Sequence, residues 1–413
     1  MIGEVKWTTL RSLIRRLHDS SALDMLALMS GKAQATHPAR SAPHFGDAIR
    51  SEFPLLIGLG TAAIFLGTGA RLVEAVGHPL LLALVFLWLF AVILWSAICV
   101  VRHADCLAIK FGEPYGTLIL TLSAISIEVA MISTSMLHGE NNPTLGRDAI
   151  FAVVMIALNG LVGVCLLMGG LRHREQRYNL QGVNSYLNVI MTLAVLGLVM
   201  PNFTTSTSGP TLSGLQGLFL ATMSVGLYGI FVIIQTMRHS QYFVESTNIA
   251  VTPPKSPDHH LQVGSTGYHS VMLLLYLVTV VVLAEKFGVP LDESMELFGM
   301  PPALGGAIIA ALVLTPEGIG AIEATLRNQM QRSVNILLGS VLATIGLTIP
   351  AVLTIGLITK KSVTLGVQGG NLPLLLLTLA VSVVTFTSGK TNILQGCIHL
   401  LLFAVFLLLI FSP

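Results

Sequence analysis

Residues 306 to 355 read GAIIAALVLTPEGIGAIEATLRNQMQRSVNILLGSVLATIGLTIPAVLTI, two apolar runs joined by a short polar break, with one carboxylate, Glu317, inside the first run. Each run is long enough to cross a bilayer core, which takes about 20 apolar residues as a helix. A carboxylate near the bilayer centre costs about 2.5 to 3.5 kcal/mol on insertion scales, so its presence asks for a compensating partner or a functional reason. A counterpart lies upstream, where TLSAISIEVAMISTS holds Glu128 in an equally apolar setting. No Lys or Arg falls at the same depth as either acid.

The two segments are weakly alike. Glu128 is followed by Arg147 as Glu317 is followed by Arg332, and the first interval is the longer because of the loop HGENNPTLG. At the same distance after each Arg comes a polar residue, Asn159 or Thr344. A proline precedes each acid at nearly the same interval, Pro114 before Glu128 and Pro302 before Glu317.

Composition agrees with a membrane protein. Of 413 residues 53% are hydrophobic and 10% charged, against about 25% charged in a soluble domain. The net charge of +2 is scattered, without the basic stripe that a nucleic acid needs, which excludes that partner. Cys99, Cys106, Cys165 and Cys397 show neither CxxC nor Cys/His spacing, so they read as reduced packing residues. The N-terminal stretch MIGEVKWTTLRSLIRRLHDS lacks the apolar core and cleavage site of a signal peptide, leaving the spans themselves to direct insertion.

Polar and Gly/Pro-rich breaks mark eleven spans, at about 54–70, 80–101, 116–137, 148–170, 186–201, 213–237, 269–287, 303–322, 333–358, 372–387 and 393–411, of which the fifth and tenth are short. The fold expected is an all-α polytopic membrane protein. With the N-terminus cytoplasmic, the cytoplasmic segments hold 17 of the 22 Lys and Arg, and the outer loops hold Arg71, Arg147, Lys286, Lys360 and Lys361. That places the chain as a multi-pass protein of the inner or plasma membrane, with lipid as its surroundings and no oligomeric state specified.

Residues 1–53 read as a cytoplasmic segment in which Trp7, Leu10, Ile14 and Leu17 fall at helical spacing, suited to an interfacial helix. An extra span follows in 54–78. Residues 79–237 and 269–413 then form two sets of five spans, separated by the Pro-rich connector 238–268 with its solvated pair His259 and His260. An odd number of spans per set makes the second enter the membrane from the opposite side, as in transporters built from inverted repeats.

Glu128 and Glu317 both fall near mid-membrane, and two such acids on antiparallel repeats suggest a shared metal or cation site. Protonated acids bonded to the backbone or to nearby Ser and Thr are the alternative. Ser123 and Ser126 accompany Glu128, and Thr315 accompanies Glu317. Pro316 removes a backbone donor and frees the carbonyl one turn earlier, an oxygen of the kind calcium takes. Glu323 stands one helical turn before Arg327, an ion-pair spacing. Glu285, Asp292, Glu293 and Glu296 surround an expected outer loop.

Residues 306–355 resemble the second alpha-repeat of the calcium/cation antiporter superfamily, in particular its bacterial calcium/proton antiporter branch, and Gly112 to Asn159 resembles the first. The resemblance implies eleven helices in two five-helix halves of opposite orientation, and a central site where Glu128 and Glu317 bind calcium or protons alternately. It also implies supporting roles for Asn159 and for Ser340 in LLGS. Departures are visible: Ala124-Ile125 and Val313-Leu314 stand where vacuolar members have Gly-Asn, Gly318 where a histidine often follows the second glutamate, and Ala343 where a glutamine occurs. The function expected is calcium/proton exchange by alternating access, with sodium or potassium/proton antiport at the same site and a cation channel as alternatives. Neither enzyme chemistry nor a cofactor is called for beyond the transported ions, since no interior Ser–His or His–Asp pair is visible.

The Lys/Arg asymmetry makes a topological prediction. Single cysteines placed within 240–265 should be labelled from the cytoplasm and those within 205–210 from outside; labelling of both from one side of intact cells would refute it.

Overall fold

The computed structural model describes residues 52–74, 79–111, 115–138, 143–244 and 265–412. The expected interfacial helix and the His259–His260 pair lie outside them. Within the described residues the chain forms eleven long helices and no named strand. They are α1 (Phe53–Glu74), α2 (Pro79–Phe111), α3 (Tyr115–His138), α4 (Leu145–His173), α5 (Leu180–Asn202), α6 (Gly214–Arg238), α7 (Thr266–Leu297), α8 (Ala303–Leu326), α9 (Met330–Thr359), α10 (Asn371–Phe386) and α11 (Ile393–Phe411). Eight are long and apolar enough to cross a membrane; the apolar parts of α1, α3 and α10 are shorter.

All eleven expected spans have their helix, with three boundaries well displaced: α2 runs on past the expected 101 to Phe111, α5 starts early and α7 ends late. α5 starts ahead of its apolar run, at Leu180, because Asn179 caps it, accepting from the Gln181 N–H at 2.9 Å. α7 runs on through the expected outer loop to Leu297 with Pro290 inside it, so Asp292, Glu293 and Glu296 are helical. A proline removes one hydrogen bond from a helix, and burial of Phe287, Leu291 and Met295 around it keeps this segment packed.

The inverted repeat is visible in how corresponding helices meet. α2 and α7, of 33 and 32 residues, pack along each other in opposite directions. Early in α2, Phe86 lies with its ring centroid 5.2 Å from that of Phe287 late in α7. Late in α2, His103 meets His269 at the start of α7, Nδ1 to Nδ1 at 2.9 Å. α4 and α9, the third helix of each half, both contain a π-helical turn, Ile156–Leu161 and Thr344–Thr348. Asn159 stands at the same distance from the start of α4 at Leu145 as Thr344 does from the start of α9 at Met330.

The centre of the molecule is α4, α8 and α9. Of the apolar window of α4, 78% is buried inside the protein, against 28% for α6 and α11, which therefore present most of their surface outward. Gly306 of α8 lets the helices close here: a Cβ at this position would stand 2.7 Å from the Ala149 backbone nitrogen of α4. Both ends of this core are laced by loops. At one end Gln176 donates to the Thr325 carbonyl at 2.9 Å and to Asn328 at 3.1 Å, and its backbone exchanges hydrogen bonds with Thr391. At the other end Asn202 donates to the Val367 carbonyl at 2.8 Å, and Arg147 to that of Gly366 at 3.3 Å.

α1 is fastened to α2 and α7 by a buried carboxylate just before its first turn. Glu52 accepts from Arg102 at 2.9 Å, from the Tyr268 hydroxyl at 2.7 Å and from the Tyr276 hydroxyl at 2.8 Å, with His103 Nε2 at 3.3 Å. Burial alone favours the neutral acid, but the His103 hydrogen bond, the Arg102 charge and the two tyrosine hydroxyls outweigh it and hold the carboxyl down at about 2, from 4.5. An acid held below its unfolded value stabilises the fold above that value and loses the contribution as pH falls through the folded one. The drop corresponds to on the order of 3 kcal/mol at neutral pH. Glu52→Gln should therefore lower the melting temperature of the purified protein at pH 7. The gap to the parent should narrow as pH falls from about 5 towards 2, the interval between the two values. A gap independent of pH would show that the ion pair is not what holds α1.

Candidate cation site

Glu128 arises just past the midpoint of α3, and Glu317 just past that of α8. At a rise of about 1.5 Å per residue both lie roughly 20 Å from the start of their helices, at mid-span. Glu128 is buried at 3% exposure, while Glu317 keeps part of its surface accessible. The carboxylates belong to different repeats, and one helix holds both. On α9, Ser340 donates to Glu317 Oε2 at 2.6 Å and Thr344 donates to Glu128 Oε2 at 2.8 Å. Positions one turn apart share a helix face and stand about 6 Å apart along its axis. The two acids are accordingly held beside one face of α9.

Thr344 opens the π turn of α9, and Thr348, which closes it, lies beside the same carboxylate. Among the described residues, the Thr348 hydroxyl and Glu128 Oε1 have each other at hand and no other hydrogen-bond partner. Glu128 therefore has at most two hydroxyl donors, fewer than an ionised carboxylate accepts, which leaves it capacity for a further occupant. Pro316, buried within α8, leaves the Leu312 carbonyl without its helical donor. Two carboxylates and three hydroxyls make an all-oxygen set, the kind a hard cation takes. Among the described residues no three His, Cys, Asp or Glu side chains cluster as a resident metal centre would require.

The other residues singled out from sequence are placed as follows. Ser123 donates to the Ile119 carbonyl at 2.7 Å, Ser126 to that of Leu122 at 2.6 Å and Thr315 to that of Ala311 at 2.6 Å, each one turn back on its own helix. Their protons are thus committed to backbone, and only their lone pairs remain to offer. Asn159 sits on the π turn of α4, which packs against α8 and α9. Its amide hydrogen bonds run to Thr378 at 2.8 Å, to Met155 and to His399, away from both glutamates. Gly318, next to Glu317, lies close against this turn, since a Cβ there would stand 2.8 Å from Leu161 Cδ2. Glu323 pairs with Arg327 at 2.6 Å on the exposed face of α8, clear of the site.

Thr344 and Thr348 are the side chains that sequence reasoning left out of the site. The signal for Thr344 was present, since it stands at the place in its repeat that Asn159 occupies in the other. Nothing in the sequence announces a π turn.

Comparison with known proteins agrees with this fold. The family described as sodium/calcium exchanger protein matches twice, over residues 81–237 and 268–412, once for each five-helix half. A protein of Sinorhizobium fredii whose name assigns it ionic transport, without an ion, is 42% identical over 316 residues, 76% of this chain and 84% of its own. The sodium-potassium/proton antiporter ChaA of Escherichia coli is 38% identical over 341 residues, 81% of this chain and 90% of its own. The solved structure of native YfkE, called a Ca2+/H+ antiporter in its selenium-substituted crystal form, shares the fold with a TM-score of 0.67 at 16% identity, covering 87% of this chain and 100% of that one. With both halves matched and two relatives this similar over most of their length, the chain belongs to the sodium/calcium exchanger family of the calcium/cation antiporter superfamily.

Proposed function

We propose that the protein exchanges calcium for protons across the membrane by alternating access, Glu128 and Glu317 binding either the cation or protons. The observation that carries this is the pair of mid-span carboxylates from opposite repeats, tied to one face of α9 by Ser340 and Thr344. A calcium ion balances two carboxylates as two protons do, so either load leaves the site neutral. A site that is neutral in both loaded states has no charge to carry through the low-dielectric interior, where an uncompensated charge is costly. The empty, ionised pair has that charge, and this opposes a futile return without cargo. The reading places the N-terminus in the cytoplasm of a cell's inner or plasma membrane, as the Lys/Arg distribution favours.

A second reading has a specific observation behind it: the 38% identical relative is named as a sodium-potassium/proton antiporter. The same two carboxylates accept a monovalent ion if one of them keeps its proton. The site also lacks the Gly-Asn ligands that vacuolar members carry before each glutamate, so fewer side chains discriminate by charge. Everted vesicles decide between the readings. Calcium, sodium and potassium are added in turn while proton movement is followed. Calcium alone eliciting proton release supports the first reading, and release with sodium or potassium but not calcium supports the second.

Glu128→Gln and Glu317→Gln should each abolish exchange in protein that still reaches the membrane, because an amide keeps the shape but cannot alternate between proton and cation. Glu323→Gln should leave exchange close to parental. Apparent cation affinity should strengthen as pH rises through the titration of the pair and then level off, and excess cation should overcome acid inhibition. Transport whose affinity stays constant from about pH 5 to 9 would sink the shared-carboxylate mechanism, since a group's protonation governs its charge across its own titration.

The hydroxyls of α9 make a further prediction. Thr344→Val removes a hydrogen bond to a carboxylate while keeping the volume, a loss of about 1.5 to 3 kcal/mol for a charged acceptor. Its apparent cation affinity should change by at least about tenfold, and Ser340→Ala should act in the same direction on the Glu317 side. Parental affinity in both variants would show that α9 does not shape the site.

A further inference from the structure

Tyr228 of α6 is buried beside the π turn of α9, and the exchange scheme above makes no use of it. It belongs to the inward stripe of α6, where Gly217, Leu220, Ser224, Tyr228 and Phe231 recur at helical spacing. That stripe meets α9 at Gly346, the middle residue of the π turn Thr344–Thr348. A Cβ at Gly346 would stand 3.1 Å from Tyr228 Cβ and 3.2 Å from its ring Cδ2, so the lack of a side chain there is what admits the ring.

The same side chain reaches a second helix. Its hydroxyl is hydrogen-bonded with that of Thr121 on α3. Thr121 stands two turns before Glu128, and residues two turns apart share a face of a helix. The turn behind which Tyr228 sits carries Thr344, which donates to Glu128 at 2.8 Å, and Thr348, which lies beside the same carboxylate. Tyr228 thus engages both sides of that contact: its ring backs the turn that supplies the hydroxyls, and its hydroxyl holds the helix face that supplies the acid. α3 and α6 both pack on this turn.

The other half of the chain supplies a comparison. Phe403 of α11, the last helix of its repeat as α6 is of its own, lies against Gly160 in the π turn of α4, where a Cβ would stand 3.3 Å from ring Cδ2. A ring seated on a π-turn glycine is therefore common to both repeats, while the hydroxyl is present in one. That one backs the turn that binds a glutamate, whereas the turn beside Phe403 sends Asn159 to α10 and α11. We propose that Tyr228 is a positioning residue for exchange: its ring on Gly346 and its hydroxyl on Thr121 hold the Thr344 and Thr348 hydroxyls against Glu128, and so set the apparent affinity of the site for its cation. This rests on the two-glutamate site proposed above.

The test uses the full chain in everted vesicles, with calcium, sodium and potassium as the added cations and a pH-sensitive dye as the readout. Tyr228→Phe keeps the ring and deletes the tie to α3. It should raise the apparent KM for the cation by about fivefold, one neutral hydrogen bond's worth, at a maximal rate close to parental. Thr121→Val should do the same, and the two together should do no more than either, because both remove one shared contact. Tyr228→Leu loses the ring as well and should raise KM by at least about tenfold, so that the aromatic variant restores part of the affinity. Phe403→Leu, the same loss of a ring at the other π turn, should leave KM parental. If Tyr228→Leu fails to reach the membrane, Tyr228→Phe, Thr121→Val and their combination still decide.

An unshifted KM in Tyr228→Phe and Thr121→Val with transport intact would overturn the proposal, as would effects of the two that add in full. A fall in maximal rate at constant KM in Tyr228→Leu would also overturn it, leaving Tyr228 as ordinary packing. So would a KM raised equally by Phe403→Leu, since that ring backs no partner of a glutamate. Exchange surviving in Glu128→Gln and Glu317→Gln would remove the two-glutamate site itself. Exchange abolished in those variants, beside an unshifted KM in Tyr228→Phe, would remove only the role of Tyr228.

Discussion

Two hydroxyls one turn apart on α9 hold two carboxylates from opposite halves of the chain, and the remaining architecture serves to make that meeting happen at mid-span. A carboxylate in this setting is tolerated only with partners or with a purpose. One or two hydroxyls each is a meagre set of partners, since a fully satisfied carboxylate accepts several hydrogen bonds. The shortage is a property of the site. If Glu128 and Glu317 were saturated with donors from the protein, a cation or a proton would have little to add.

Everything around the pair keeps it central. α4, α8 and α9 lie innermost, glycine at position 306 lets α8 close on the backbone of α4, and loops lace the helix ends on both sides. The π turns in α4 and α9 each swing side chains out of ordinary helical register at matching places. π turns occur preferentially at functional sites, and here both repeats place one against the partner acid's helix. The symmetry is incomplete: Thr344 turns toward a glutamate, whereas Asn159 turns toward α10 and α11. The repeats thus supply a common frame on which the two halves of the site have diverged.

Much of the architecture was legible because hydropathy is a strong signal over the length of a span. Eleven spans, their order and the doubling of five could be counted from apolar runs and breaks. The two acids stood out for the same reason, as charges where charge is costly. What escaped was local. The extension of α7 past Pro290 depends on tertiary burial of Phe287, Leu291 and Met295, which no pattern of residues declares. Ser123, Ser126 and Thr315 are near the acids in sequence, but a helical hydroxyl readily bonds the carbonyl one turn back, and all three do. The partners the acids have come from α9, distant in sequence from Glu128 above all, and only the weak match of Asn159 with Thr344 hinted at them.

Three glutamates set among the helices, two of them buried and Glu317 partly so, allow structure and function to be told apart by counting donors. Glu52 receives Arg102, Tyr268 and Tyr276, with His103 close by, and both its oxygens are taken. Such a carboxylate is locked in its ionised form and can neither gain a proton at ordinary pH nor admit a cation past Arg102, so its work is to fasten α1 to α2 and α7. Glu128 has the Thr344 donor with the Thr348 hydroxyl beside it and, among the described residues, no cationic side chain, and Glu317 has a single donor and a surface still partly open. The cost of leaving a carboxylate short of partners recurs in every molecule of the protein, and a cation or a proton relieves it by arriving. Burial alone therefore does not mark the coupling residues in this chain; burial with too few donors does.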